Sequence, residues 1–422
     1  MKNALDTTTP VVILQAARHG ALGIARSLGR LGAPVYIVER NPFASPRFSR
    51  YVRGRFAWDF DRTSDEQRVE LLLEAGRSIG RRSILIPTTD NSAIFVATHA
   101  ERLREWFQFQ EMPLSLVNAL CSKKEMFFLA KRLGIPSPEC LFPESRADVL
   151  EYNDRAKFPV MLKGIDGVRL ERFAGKRMFL VGSAQELLER YDGLPVSERL
   201  NVMLQEYIPG GPETCWMFNG YFNAGSDCLV GFTGRKIRQF PVYTGATCLG
   251  ICTRNDDVTA LTRRFMKAAG YQGILDMGYK RDPRDGQYKV YDVNPRIGAT
   301  FRLFVARNGM DVARALYLDL TGQPVEAGEA LEGRRWIVED QDMVSSFRYW
   351  RDGKLKFVEW AKSFRGIREG GCWALDDPLP MLGTILLDIN KAFEPSSAEP
   401  LVPAGSASPG NRATEVALAR GE

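Results

Sequence analysis

The sequence predicts a mixed chain, with an α/β amino-terminal region on a parallel sheet followed by an α+β region. Three observations carry this. Residues 11–115 alternate short apolar runs with longer helical patterns, as strands joined by crossover helices do. Residues 158–294 bring strand-like runs closer together. Among these, 274–279 and 288–293 alternate, are rich in aromatic and β-branched residues, and flank Asp282-Pro-Arg-Asp-Gly-Gln287. Pro pre-sets φ and Gly supplies φ > 0 in such a cluster, which reads as a β-hairpin.

Element by element, Val11-Val-Ile-Leu14 is a strand, and a small-residue turn through Gly20 and Gly23 leads to a helix over 24–31 closed at Gly32. Val35-Tyr-Ile-Val38 is the next strand. A helix over 69–79, a strand over 84–86 and a helix over 92–107 follow. Asp90 and Asn91 lie just past a strand end, where open α/β sheets bind ligands. Ser122-Lys-Lys-Glu125 is a capping box opening a helix that stops at Gly134. Ile135-Pro-Ser-Pro138 breaks the chain. Strand 158–163, a glycine-bearing loop over 164–176, helix 184–191 and strand 202–208 come next. Strands 216–222 and 229–233, a small-residue turn within 244–250, helix 257–269 and the hairpin complete this region. The boundaries expected are 1–115, 116–325, a small carboxy-terminal domain at 326–394, and a disordered tail at 395–422 rich in Pro, Ser, Ala and Gly.

With 422 residues, two or three domains and ample cores are expected. The net charge of +6, with both signs interspersed, favours anionic ligands without signalling nucleic acid. No apolar run approaches a membrane span, and the amino terminus has no secretory apolar stretch. Seven scattered Cys and two His fit no zinc spacing and suit reduced thiols, so a cytoplasmic location is expected.

The hairpin carries the chemistry. Asp292 and Asn294 share one sheet face, and Asp276 on the partner strand can face them. Two carboxylates and an amide oxygen suit hard Mg²⁺, with Mn²⁺ as a substitute. Arg296 adds a planar cation for phosphate or an oxyanion. The competing account is a polar hairpin with solvated acids.

Taken together, Lys123, Lys163, Gln205-Glu-Tyr-Ile208, Glu213, Asp276, Asp292, Asn294 and Arg296 resemble the ATP-grasp superfamily of carboxylate–amine ligases, in the branch that includes D-aspartate ligase. The resemblance covers about residues 10–325. It implies an ATP-grasp fold preceded by a Rossmann-like domain. It also implies that Lys123 and Lys163 contact phosphates, with Lys124 adjacent to the first. Gln205, Glu206 and Ile208 would line the adenine edge, Glu213 would take the ribose, and Asp276, Asp292 and Asn294 would hold the metal. Lys236 and Arg238, on alternate positions of one strand, are candidates over the γ-phosphate and acceptor, and Arg296 is the candidate oxyanion stabiliser. The 164–176 loop would close over the phosphates, although it has few glycines, and Asp292 replaces the family's usual glutamate.

The implied enzyme is an ATP-dependent, ADP-producing ligase joining a small-molecule carboxylate and amine through an acylphosphate. It would act as a monomer or homodimer, with no nucleic-acid or membrane partner. Two rivals remain. One is an NAD-binding dehydrogenase, because Arg18-His-Gly20-Ala-Leu-Gly23 with Glu39 approaches the dinucleotide fingerprint. Arginine there replaces the first glycine, where the tight turn needs φ > 0. The other is a non-catalytic nucleotide-binding protein of the same fold. The Arg47, Arg50, Arg53 and Arg55 cluster reads either as a solvated basic loop or as an anion contact, and His19 as structural.

Overall fold

The computed structural model describes residues 5–393, so the expected tail at 395–422 lies outside the described residues. The amino-terminal region runs β1 (Val11–Ile13), α1 (His19–Gly29), β2 (Val35–Val38), β3 (Val52–Phe56), α2 (Asp65–Ile79), β4 (Ser83–Ile86), α3 (Asp90–Thr98), α4 (Ala100–Leu103) and β5 (Phe107–Gln108). These strands form one parallel sheet in the order β3-β2-β1-β4-β5. The helix expected over 92–107 is interrupted. His99 leaves helical geometry (φ −106°, ψ 20°), and the chain ends by pairing Phe107 with Ser83. Trp106 fills the space over Gly76, where a Cβ would lie 2.5 Å from its side chain.

Next come α5 (Leu114–Cys121), α6 (Lys123–Arg132), β6 (Cys140–Leu141), α7 (Arg146–Arg155), β7 (Val160–Gly164), α8 (Gly167–Ala174), β8 (Met178–Val181), α9 (Ala184–Asp192), α10 (Val196–Arg199) and β9 (Val202–Glu206). Strands β6-β9-β7-β8 make a small antiparallel sheet. Ser122 caps α6 by accepting from the Glu125 N–H, as its sequence signature requires. The expected 164–176 loop is instead mostly helical. Asp166 caps α8 by accepting from the Val168 and Arg169 N–H groups, Leu170 is buried beneath it, and Gly175 closes it at φ 68°. Counting glycines hid this N-cap signal.

The largest sheet comprises β10 (Cys215–Phe222), β11 (Cys228–Phe240), β12 (Ala246–Cys252), β13 (Gly273–Arg281), β14 (Tyr288–Asn294) and β15 (Arg335–Ile337), in the order β14-β13-β10-β11-β12-β15. The hairpin forms as expected. The small-residue run after Gly245 is a strand rather than a turn, because its apolar residues are buried between two neighbours. The turn lies just before it. At Gly245 a Cβ would fall 2.0 Å from the Phe240 carbonyl, so only glycine fits.

Alternation on β10 and β13 divides two cores. Phe218, Phe222, Leu275, Met277 and Tyr279 pack under α11 (Asp256–Ala269). Met217, Tyr221 and Ile274 face the other way, into a core shared with β1, β2, α1 and α12 (Val312–Leu320). Asp276 and Asn219 therefore project toward the amino-terminal sheet.

The segment after 330 supplies β15 and three helices, α13 (Glu339–Arg351), α14 (Phe357–Ser363) and α15 (Leu379–Phe393). Its Asp376-Asp377 turn is anchored on the amino-terminal region. Asp377 accepts from Arg26 at 3.0 Å and Ser49 at 2.7 Å, and Asp376 accepts from Arg30 at 2.8 Å.

Candidate functional site

Register builds the site. Asp276 is the direct partner of both Asn219 on β10 and Asn294 on β14. Asn219 donates to Asp276 Oδ1 at 3.0 Å, and Asn294 donates to Asp292 Oδ2 at 3.0 Å. Gly298 leaves room for the group, since a Cβ there would lie 2.5 Å from the Asp276 carboxyl carbon. Burial pushes the Asp276 carboxyl up to about 6, against the pull of the Arg296 guanidinium.

Mg²⁺ fits this donor set. Among the described residues no cluster of three or more His, Cys, Asp or Glu could hold a metal. Two carboxylates and an amide match an ion that keeps water and phosphate oxygens. Asn219 Oδ1 is also buried without a hydrogen-bond partner, a further hard oxygen beside Asp276.

Two cavities are lined from the two ends of the 292–296 segment. One, of about 380 Å³, is lined by Lys123, Lys163, Gln205, Ile208, Lys236 and Asp292. Burial lowers the Lys163 ammonium to about 8, and its Nζ donates to Gln205. Burial lowers Lys123 as well, and its Nζ donates to the Ile165 carbonyl at 2.8 Å. Such desolvated ammonium groups gain most when a phosphate enters. Strand pairing ends at Glu206, whose N–H bonds the Glu139 carbonyl, so Tyr207 and Ile208 continue past the ladder.

The second cavity, of about 940 Å³, lies past the carboxyl ends of β1 to β4. Gln15, Glu39, Asp59, Thr88 and Thr89 line it, facing Arg18 and Arg296. Arg296 donates to Asp90 at 2.7 Å and to Asn294 Oδ1 at 3.0 Å. The series Asp292, Asn294, Arg296 thus runs from one cavity to the other.

Several expectations need correction. Arg238 does not share a free face with Lys236. A bulge separates them, and Arg238 is buried in a bidentate pair with Asp342 at 2.7 Å. Lys236 faces the first cavity and donates to the Gly245 carbonyl at 3.1 Å. Glu213 is exposed, accepts from the Gly211 N–H at 2.8 Å and lines a different recess. The Glu206 carboxylate is engaged by Arg284 and Lys289.

The dinucleotide fingerprint also fails. A Cβ at Gly20 would lie 3.0 Å from Ala299, and one at Gly23 would lie 2.9 Å from Phe301. Those glycines admit the segment after β14, not a pyrophosphate. His19 is half-buried, 5.6 Å from the Trp336 ring, and desolvation lowers it to about 4, in keeping with a structural role. Sequence reading missed Asn219, Gly298 and the pairing role of Asp90. Asn219 was detectable only through the β10–β13 register.

No family model matches the chain. The chain is 23% identical over 326 residues to the D-aspartate ligase of Enterococcus faecium, covering 74% of this chain and 77% of that protein. In structure it resembles an L-amino acid ligase from Bacillus licheniformis (TM-score 0.55, 15% identity, 74% of each chain). It also resembles the biotin carboxylase domain of a 2-oxoglutarate carboxylase from Hydrogenobacter thermophilus, solved with MgADP and bicarbonate. That match has a TM-score of 0.58 at 14% identity, over 78% of this chain and 73% of that one. No dehydrogenase is among these. With its parallel amino-terminal sheet, small antiparallel sheet and hairpin of acids, the chain has the ATP-grasp fold and is similar in sequence to D-aspartate ligase.

Proposed function

We propose that the chain joins a carboxylate to an amine at the expense of ATP, releasing ADP and phosphate. The observation that carries this is the continuous series Asp292, Asn294, Arg296 linking the lysine-lined cavity to the larger polar one. ATP belongs in the first cavity, with Lys123 and Lys163 on its phosphates and the 205–208 segment along its base. Asp276, Asp292 and Asn294 would hold Mg²⁺, which when bound offsets the charge of the phosphates. Arg238 and Glu213 are left out of the site on the geometry above.

The acceptor cavity offers both signs: Arg18, Arg40 and Arg62 against Glu39, Asp59 and Asp61. That chemistry suits a substrate carrying carboxylate and ammonium groups together, as an amino acid does. The substrate carboxylate attacks the γ-phosphoryl, forming an acylphosphate and ADP. The amine then adds to the acyl carbon, Arg296 steadies the developing oxyanion, and phosphate leaves. Water must be kept from the acylphosphate, and the 164–176 segment, tied to Lys123 through the Ile165 carbonyl, would cover it.

The test is ADP release across a matrix of carboxylates and amines, amino acids included, with hydroxylamine as a small trapping nucleophile. A hydroxamate formed together with ADP and phosphate is expected. AMP and pyrophosphate would overturn the acylphosphate route.

A further inference from the structure

The carboxy-terminal helices carry a surface that the ligase chemistry does not use. Of the exposed large apolar side chains among the described residues, more than half lie between Met343 and Ile389. On α13, Met343, Phe347 and Trp350 follow i, i+4, i+7 spacing, so they form one stripe. On α14, Phe357 and Trp360 do the same. These stripes converge with Ile385 of α15 on a groove of about 670 Å³ whose lining is mostly apolar. Phe347 and Trp350 are 60% exposed and Phe357 72%. A soluble surface gains nothing from showing such rings to water.

Charge says what covers them. Between residues 343 and 368 there are seven cations, at 348, 351, 354, 356, 362, 365 and 368, against two acids, Asp352 and Glu359. All nine are exposed. This stretch therefore holds +5 of the chain's net +6. Three acids, Glu339, Asp340 and Asp342, also line the groove, one of them charge-paired. Asp342 is paired with Arg238, and Glu339 accepts from the Cys372 and Trp373 N–H groups. Exposed Trp and Phe ringed by Lys and Arg match the boundary of an anionic bilayer, where rings enter the headgroup layer and cations meet lipid phosphates.

We propose that the face formed by α13, α14 and α15 docks on an anionic membrane surface. A spanning segment is not needed for this, and no helix of the described residues is long and apolar enough to cross. A surface-lying face leaves no such run in the sequence. The groove admits apolar side groups of the boundary layer, and the active-site cavities remain lined by other residues. Docking would hold the enzyme at the bilayer without altering its chemistry.

The experiment is vesicle co-sedimentation of the full chain. Vesicles of phosphatidylcholine with about one third phosphatidylglycerol are compared with phosphatidylcholine alone, at low and high salt. Binding to the anionic vesicles, weakened by salt, is expected. Arg348→Gln and Lys354→Gln should each weaken it by roughly fivefold. Trp350→Ala with Phe357→Ala should abolish it, while melting temperature and ADP release in solution stay unchanged, because both residues are exposed. No binding to anionic vesicles at low salt, or equal binding to neutral ones, would overturn the proposal. So would self-association that the Trp350/Phe357 variant abolishes in the absence of vesicle binding, which would assign the face to a second copy. None of these results touches the ligase reading, which ADP release tests separately.

Discussion

Arg296 Nε lies 2.7 Å from Asp90 Oδ1, joining the start of α3 to the residue two past the end of β14. Asp90 and Arg296 are 206 residues apart, yet their pairing holds the guanidinium against Asn294 at the wall of the larger cavity. Nε, Nη1 and Nη2 donate to Asp90, the Ile297 carbonyl and Asn294, which leaves one N–H on each terminal nitrogen for an oxyanion.

Arg296→Lys keeps the charge and loses the fork. ADP release should fall by about 10²-fold, the scale of one lost transition-state contact, with a smaller change in ATP affinity. Steady-state kinetics separating kcat from KM for ATP checks this. An unchanged kcat would show that the guanidinium serves only to join the two sheets.

Asp276→Ala and Asn294→Ala each remove a hard oxygen from the metal position. A loss of at least about 10²-fold in turnover is expected from each, with little change in melting temperature. Gly298→Ala should imitate Asp276→Ala, because its methyl group would press on the Asp276 carboxyl from 2.5 Å. Mg²⁺ titration monitored by ADP binding reads all three, and wild-type Mg²⁺ dependence in every variant would remove the metal assignment.

Lys163 makes nucleotide affinity depend on pH. Its ammonium sits near 8 in the free protein and would be raised by a bound phosphate. ADP binding should then take up protons above pH 8, and affinity should fall by up to about tenfold per further pH unit. The same lowered value works against folding. Neutral Lys163 is favoured in the folded state, so its cost to stability is present below pH 8 and fades as pH rises toward 10.5. Calorimetry in buffers of different ionisation enthalpy measures the uptake. Lys163→Met should bind ADP more weakly and without this dependence.

Arg238→Met tests the corrected role of that residue. It would leave Asp342 buried and unpaired, costing about 3–5 kcal/mol. Arg238→Met with Asp342→Leu should recover most of the stability, and the repacked protein should turn over ATP normally. Low activity in a stable double variant would return Arg238 to the catalytic set.

By itself the sequence determined the α/β start, the hairpin and the facing of Asp276 with Asn294, because strand alternation and turn chemistry are local rules. Lys123 and Lys163 were marked only by the resemblance to the ATP-grasp ligases, not by a local rule. Tertiary structure decided what required distant partners. A bulge after Lys236 and the arrival of Asp342 from α13 took Arg238 out of the cleft. Packing of the segment after β14 against Gly20 and Gly23 turned an apparent dinucleotide loop into an interdomain contact. Asn219 joined the acids only through the register of β10 with β13. Side-chain direction along one strand follows from its period. Which charge neutralises a buried arginine, or what fills the space over a glycine, depends on chain hundreds of residues away.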